Sequence, residues 1–344
     1  MLTNGDLGEL LWSAGREEKD HRRRALERAS RAARFWPVEA VELVDGGRSL
    51  TELNAVGPWV AEQIQSWLDD PPAVPEPEEA RRGFLTYAEV RRTLDADPAW
   101  EAAPCADLQM HTTWSDGSLP LDEMVDAARA LGRPFIAITD HSKALEIAHG
   151  MSADKLAEQG RAIDALNRAF EDGGDPFRVL RSQEVDLFAD GSIDMDDTSL
   201  SSLDLVLGAF HSALRAKEDQ TERYMAALRQ SRLHVLAHPK ARMYGRRPGL
   251  NADWHRVFAE AAARGKAVEL DATVWRQDLN VELATIAREE GVAWFSIGSD
   301  AHTAEELEFL PFGMATAALA GIPRERILNY RTVEFVRLWA RGEA

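Results

Sequence analysis

Seven short apolar runs in the sequence are typical of buried strands, and most of them end on side chains that commonly bind metal ions. The runs end at His111, Asp140 with His141, Glu184 with Asp186, His211, His238, Glu269 with Asp271, and Asp300 with His302. Five of the nine histidines lie at these ends. Imidazole nitrogens and carboxylate oxygens are ligands of zinc, manganese and iron. The pattern therefore predicts a metal centre, with the sixth run (Glu269, Asp271) outside its ligand set because that run ends on carboxylates without a histidine or a strong motif.

Helical patterns alternate with these runs, and the alternation predicts how the run ends come together. The helical segments cover 119–132, 155–172, 221–231, 251–265 and 280–291. Strands that alternate with helices form parallel sheets, in which all carboxyl ends open on one face. A closed barrel uses every strand end, whereas an open doubly wound sheet uses one switch point. The sequence thus predicts an α/β barrel with its site at the mouth.

Composition is that of a globular protein with room for a large and a small domain. The 344 residues are 45% hydrophobic and 28% charged, with a net charge of −18 and the single cysteine Cys105. We expect a cytoplasmic location, since one cysteine excludes an internal disulfide framework and no apolar run or signal-like N-terminus suggests a membrane. The acidic balance disfavours broad coating of nucleic acid. Metal-binding carboxylates would account for part of this negative charge. The charge is also uneven along the chain, because residues 16–34 are locally basic.

The first hundred residues have a different pattern from the rest of the chain. Residues 1–70 show helical spacing of leucine and alanine, and a proline- and charge-rich stretch follows at 71–82. We expect a helical domain over 1–70, a linker and lead-in helix over 71–104, and the barrel over 105–344.

The motifs at the run ends resemble those of the polymerase-and-histidinol-phosphatase (PHP) family. They are DLQMHTTWSDG, ITDHS, EVDLFADGSIDM, FHS, AHPKAR and SDAH. The resemblance implies a distorted (β/α)7 barrel with a trinuclear metal site that hydrolyses phosphoesters. HTTWSDG, HPKARMYGRRPGLNADW and VELDATVWRQDL look most like the PHP domain of bacterial family X DNA polymerases.

Carried over by position, the resemblance implies three divalent ions, of manganese, zinc or iron. The first would take Gln109, His111, Glu184 and Asp300; the second Glu184, His211 and His238; the third Asp116, His141 and His302. Of these, His111, Glu184, His211 and Asp300 would be catalytic. The family usually has histidine where this chain has Gln109, so the first metal would be held more loosely.

Hydrolysis at such a centre needs no side-chain nucleophile. Clustered divalent ions lower the pKa of a bridging water and clamp the phosphoryl oxygens. Acidic residues near the ligands, Asp140, Asp186 and Asp271, could orient the histidines or could be structural. Cations predicted near the mouth could bind substrate phosphates: Lys143, Arg242, Arg246, Arg247 and Arg276.

Residues 50–68 resemble a helix-hairpin-helix, whose turn directs backbone N–H groups at a nucleic-acid phosphate. Gly57 and Ala61 fit the motif, but Ala55 or Val56 stands where a second glycine is expected; a plain helical bundle is the alternative. Gln63 and Trp59 replace the lysines of lyase-competent relatives, so no imine can form there. The segment 71–104 leaves no room for a polymerase palm.

Three functions are compatible with these observations. The first is a phosphoesterase acting on DNA 3′ ends, as a 3′–5′ exonuclease or a 3′-phosphatase. The second is a phosphatase of a small phosphorylated metabolite, which the acidic charge favours. The third is a nucleic-acid-binding module with a residual metal site. Salt-dependent DNA binding separates the first two, because phosphate contacts release counterions, and metal content tests the third.

Overall fold

The computed structural model describes residues 1–343, which divide into two compact units between residues 96 and 97. The first unit is helical. Its α-helices are α1 (Asn4–Glu17), α2 (Asp20–Ala32), α3 (Ala40–Asp45), α4 (Pro58–Asp69) and α5 (Tyr87–Ala96), with 3-10 turns at Ala33–Phe35, Leu50–Glu52 and Glu79–Arg81. Its core is built from the leucines and alanines at helical spacing, packed around the fully buried Trp36.

The expected pair of short helices between 50 and 68 is only partly formed. The first member is the single 3-10 turn Leu50–Glu52, whereas the second is the regular helix α4, with Gly57 as its N-cap and Pro58 in its first turn. Between them, Ala55 has a φ of +63°, in the left-handed region. An L-residue with a Cβ is strained in this conformation and glycine is not. The displaced glycine of the sequence pattern thus corresponds to a real left-handed position.

Ala55→Gly is therefore expected to stabilise the chain by about 0.5–1 kcal/mol, because it removes the steric cost of left-handed backbone. Urea denaturation followed by circular dichroism measures the change. The control is Ala61→Gly, in the interior of α4, where the same substitution should destabilise by about 1 kcal/mol. A loss of stability in both variants would contradict the prediction.

The second unit contains a six-stranded parallel sheet in sequential order, β1 to β6. The strands are β1 (Phe135–Ile138), β2 (Arg178–Asp186), β3 (Leu205–Ala209), β4 (Val235–Leu236), β5 (Ala267–Asp271) and β6 (Phe295–Gly298). The α-helices are α6 (Ala99–Ala102), α7 (Leu121–Ala130), α8 (Ala153–Asp172), α9 (Asp197–Ser201), α10 (Thr221–Leu228), α11 (Trp254–Ala263), α12 (Val281–Glu289), α13 (Leu310–Leu319) and α14 (Val333–Ala340). Short 3-10 turns lie at Glu146–Ala148, Glu305–Phe309, Arg324–Arg326 and Leu328–Tyr330.

The first expected strand, which ends at His111, is extended but irregular, and it lies between the two edge strands. Asp107 forms a parallel bridge with Ile136 of β1, and Met110 forms one with Ala301, just after β6. Side-chain hydrogen bonds replace part of the ladder here: the Met110 N–H donates to Thr139 Oγ1 (3.1 Å) and the Ser299 N–H to Asp107 Oδ1 (3.0 Å). Such bonds compete with regular pairing. The α/β barrel is thus confirmed, with a seventh member that is not a regular strand.

Apolar side chains fill the inside of this curled sheet. Leu108, Leu180, Leu207 and Val235 are fully buried there. The polar side chains at the C-terminal ends of the same strands therefore lie above a packed apolar core, at the mouth of the barrel. None of the helices in residues 1–343 combines the length and apolar character that a bilayer-spanning segment needs.

Candidate metal centre

Glu184, near the end of β2, is the centre of a cluster of imidazoles at the mouth. Its Oε1 lies 2.7 Å from His238 Nε2 and 3.3 Å from His211 Nε2. Its Oε2 lies 3.2 Å from His141 Nδ1 and 3.5 Å from His111 Nε2. Glu184 is fully buried as a side chain, so it faces these rings and not bulk water. A carboxylate that contacts four imidazoles through two oxygens has the geometry of a bridging ligand.

Three groups of candidate ligand atoms surround this carboxylate, each group lying within 4.8 Å. They are His111 with Glu184 and Asp300; His141 with Glu184 and His211; and His111 with Asp116, His141 and His302. These groups contain seven of the eight predicted histidine and carboxylate ligands; the eighth, His238, belongs to none of them, but its Nε2 lies 2.7 Å from Glu184 Oε1. The division differs in detail, because His111 and His141 each stand between two groups. The His111 and His141 rings are stacked with centroids 4.4 Å apart, and the His302 ring stacks on His111 at the same distance.

Backbone conformation at the ligands is unusual. His238 and Asp300 have φ angles of +26° and +51°. Strained backbone of this kind clusters at functional sites, where the surrounding packing imposes it. Asp116 lies in the tight turn 112–117, and a Cβ on Gly117 would overlap the carbonyl of His111. Glycine at 117 is thus required for the approach of Asp116 to the histidines.

Gln109, the remaining predicted ligand of the first metal, is hydrogen-bonded to an acidic residue of β5. In the orientation that satisfies its hydrogen bonds, its buried amide nitrogen donates to both oxygens of Glu269. Glu269 also accepts from the His238 N–H at 2.8 Å. Burial, together with the negative charge of Asp271, raises the pKa of Glu269 well above its usual range. Sequence reasoning missed this pair because it joins two residues 160 positions apart.

Gln109→His is expected to lower the dissociation constant of the most weakly held Mn²⁺ by about tenfold, since imidazole is a better ligand than an amide. Titration of metal-free protein with Mn²⁺, followed by electron paramagnetic resonance, measures the affinity. Gln109→Leu is the comparison: it should leave metal binding unchanged if the amide serves only Glu269, and weaken it if the amide is a ligand. Unchanged affinity in the histidine variant would contradict a ligand position at 109.

Electrostatics within the cluster favour bound cations. Burial opposes ionisation of Glu184, yet His141, His238 and His211 together hold its pKa well below the usual range. Burial also opposes ionisation of Asp116, but a hydrogen bond from His302 and the charge of His141 lower its pKa to about 2. Both carboxylates are therefore anionic at neutral pH.

The histidines differ in their affinity for protons. Burial lowers the pKa of His141 to about 3, so its ring is neutral and able to donate a lone pair. Burial has the same sign at His211, but Glu184 and Asp186 outweigh it and raise the pKa to about 9. At His302, contacts with Asp116 and Asp300 outweigh burial and raise the pKa to about 10. Protons and metal ions therefore compete for the same cluster of anions.

Unpaired ring nitrogens are a second observation that indicates binding of divalent metals by these side chains. Within the described chain, three buried ring nitrogens have no hydrogen-bond partner: His111 Nδ1, His141 Nδ1 and His211 Nε2. The last two lie 3.2 and 3.3 Å from Glu184 oxygens. Buried polar atoms are rarely left unpaired, and mixed imidazole and carboxylate donors are the preferred set for zinc, manganese and iron.

The three acids expected near the ligands have separate roles. Asp186 Oδ1 lies 3.3 Å from His211 Nδ1 and orients that ring. Asp140 instead accepts hydrogen bonds from Thr112 and Ser115, and so fixes the turn that follows His111. Asp271 is buried beside Arg276. His211 thus has the carboxylate partner typical of metal-binding histidines.

The predicted phosphate-binding cations lie in unequal environments. Lys143 and Arg246 are exposed, and Arg247 is half-buried, with its Nε donating to the Ala241 carbonyl at 2.6 Å. Arg276 Nη1 lies 3.2 Å from Asp300 Oδ2, inside the centre. Arg242 is buried and 3% exposed. Its backbone N–H donates to Asp278 Oδ2 at 3.4 Å, and its role in substrate binding stays a prediction.

One cation was missed by sequence reasoning. Burial lowers the pKa of Arg247, and the positive charges of Arg276, Arg215 and Arg246 lower it further. Arg215 therefore belongs to the same cationic group. Its place in the loop after β3, three residues after the last residue of the FHS motif, was the available signal.

Comparison with known proteins gives one family and several relatives. Residues 107–272 match the family model described as "PHP domain". The chain is 37% identical over 231 residues to "DNA polymerase/3'-5' exonuclease PolX" of Bacillus subtilis, a match that covers 67% of this chain and 40% of that protein. It is 27% identical over 235 residues to "Probable phosphatase YcdX" of Escherichia coli, covering 65% and 89%. Among solved structures, histidinol phosphate phosphatase from Lactococcus lactis aligns with a TM-score of 0.44 and 14% identity over 64% of this chain and 94% of that one.

Proposed function

We propose that this chain, whose residues 107–272 are a PHP domain and which is a metal-dependent phosphoesterase, acts on the 3′ ends of DNA strands. The reaction would be 3′–5′ exonucleolytic cleavage or removal of a 3′-phosphate. In both, a water oxygen forms a bond to phosphorus as the bond to the departing oxygen breaks. The observation that carries the proposal is the 37% identity to a protein named as a 3′–5′ exonuclease. Because the chain spans 40% of that protein, the activity is a proposal for this chain.

The side chains of the centre have distinct parts in this reaction. Three divalent ions, held by the three groups around Glu184, would acidify water and neutralise charge on the phosphoryl group. Glu184 would keep His111, His141, His211 and His238 at fixed separations. Asp186 would hold the His211 ring in one orientation. The cations Lys143, Arg246 and Arg247 would bind the phosphates of the strand, with Arg276 closer to the reacting group.

Substrate recognition by the N-terminal unit belongs to the same proposal. The left-handed turn at Ala55 and the N-terminus of α4 at Gly57 support this part of the proposal, because backbone N–H groups at a helix N-terminus can bind a phosphate. We assign nucleic-acid binding to this turn as part of the proposal. Loss of DNA affinity with rising salt would support it, because each phosphate contact releases counterions.

A 3′-labelled single-stranded oligonucleotide incubated with Mn²⁺-loaded protein tests the proposal. Shortening of the strand or loss of a 3′-phosphate is expected for the wild type, and His211→Ala and Asp300→Ala should abolish it. His255→Ala is the matched control, since His255 is exposed on α11 and pairs with Glu290. An inactive wild type with every metal tried, or full activity in both centre variants, would overturn the proposal.

The second candidate is a phosphatase of a small phosphorylated metabolite. Two observations favour it: the match to YcdX covers 89% of that protein, and the net charge of −18 disfavours polyanions. A panel of sugar phosphates and mononucleotides, run beside the oligonucleotide, separates the candidates. Turnover of a metabolite at a much higher kcat/KM than any DNA end would establish this alternative.

A further inference from the structure

Two aromatic side chains are exposed on loops that follow strand ends. Trp275, after β5, is 40% exposed, and Phe188, after β2, is 43% exposed. Of the other large apolar side chains exposed on this unit, Leu131, Leu319 and Leu338 lie at or near helix C-termini, and the aliphatic Ile147 lies in the loop after β1. The two exposed aromatic rings thus share the end of the barrel that carries the metal centre.

Both rings are adjacent in sequence to residues that touch the centre. Trp275 precedes Arg276, whose Nη1 lies 3.2 Å from Asp300. Phe188 lies two residues after Asp186, which contacts His211. The loop of Trp275 is also tied to the cationic loop after β4, because the Tyr244 N–H donates to the Trp275 carbonyl at 2.8 Å. The loop that carries Trp275 and Arg276 therefore lies beside the loop that carries Arg246 and Arg247.

We propose that Trp275 and Phe188 are stacking platforms for unpaired bases of a single-stranded 3′ end, an inference that rests on the proposed DNA substrate. Single-stranded nucleic acid is the ligand that presents flat π-faces and regularly spaced phosphates together, and aromatic side chains with arginines are the surface that binds it. The phosphates would meet the cationic group of Arg215, Arg246 and Arg247. Duplex DNA hides its base faces within the stack, so the platforms select frayed or unpaired ends. The two aromatic side chains would not raise the affinity for a small sugar phosphate, which has no base to stack on them.

Binding by metal-free protein tests the inference without interference from hydrolysis. The probes are a fluorescent single-stranded oligonucleotide and the same oligonucleotide with tetrahydrofuran abasic residues at its last three positions, which keeps every phosphate. The variants are Trp275→Leu and Phe188→Leu, and the control is Leu319→Ala, on a helix C-terminus away from the mouth. Metal content after reconstitution shows that each variant keeps its centre.

The wild type is expected to bind the normal end at least about tenfold more tightly than the abasic end, because each stacked base contributes about 1–3 kcal/mol. Each leucine variant should lose a large part of this difference, with abasic binding unchanged, and Leu319→Ala should behave as the wild type. Equal affinity of the wild type for both probes, or an undiminished difference in both leucine variants, overturns the inference. Base-dependent binding without cleavage of any DNA keeps the inference and overturns the proposed function. Cleavage of DNA without base-dependent binding keeps the proposed function and overturns the inference.

Discussion

Glu184→Gln is expected to reduce the hydrolytic rate by on the order of a thousandfold and to lower the metal bound per chain. The amide keeps the size of the side chain but removes the negative charge that four imidazoles face. Its one remaining oxygen cannot contact both His238 and His111 as the two carboxylate oxygens do. Because Glu184 belongs to two of the three candidate groups, both should lose affinity together.

Elemental analysis after reconstitution with Mn²⁺, combined with kcat on an active substrate, measures both effects. Glu260→Gln is the isosteric control; Glu260 lies on α11 and pairs with Arg229 and Arg264 at the surface. A thousandfold lower rate with unchanged metal content would place Glu184 in the reaction without a ligand role. Wild-type rate and metal content would remove it from the centre.

Much of this centre could be predicted from the sequence because the C-terminal ends of parallel strands lie together. Each strand ends at the same face, so His141, Glu184, His211 and Asp300 could be placed together without knowledge of any contact. The helices between them were recognisable for a similar reason, since their apolar spacing is local. Ligands that lie on regular elements are thus predictable from one sequence.

The parts that escaped prediction depend on contacts between distant residues. Gln109 could be recognised as an exception, but its partner Glu269 appears only when the first extended segment lies beside β6, where Gly298 leaves room for the two side chains to meet. The irregularity of that segment arises from Asp107 and Thr139, whose side chains take backbone donors from the ladder. Apolar patterning contains no signal for such competition.

The role of Asp140 also depends on contacts with residues that are distant in sequence, and these contacts determine the position of a predicted metal ligand. The sequence left open whether Asp140 orients a histidine or is structural, and the structure shows that Asp140 accepts five hydrogen bonds from three other residues. The donors are Thr112 N (2.8 Å) and Oγ1 (2.7 Å), Ser115 N (3.1 Å) and Oγ (2.5 Å), and Gln159 Nε2 (2.6 Å). All of these groups are buried. The carboxylate therefore acts as the anchor of the 112–117 turn, on which the position of Asp116 depends.

Asp140→Asn is expected to destabilise the metal-free protein by about 3 kcal/mol, since an amide nitrogen would face donors and leave buried groups unpaired. Urea denaturation measures this loss, and Asp126→Asn, an exposed site on α7, should change stability by less than about 0.5 kcal/mol. Relaxation of the turn would also move Asp116 away from His141 and His302, to which its Oδ1 now lies 3.6 and 3.4 Å. Metal should then be lost first from the group that contains Asp116, while the group of His141, Glu184 and His211 keeps its ion. A stable variant with full metal content would show that the turn holds its shape without Asp140, and simultaneous loss of all metals would show that the three groups form one indivisible cluster.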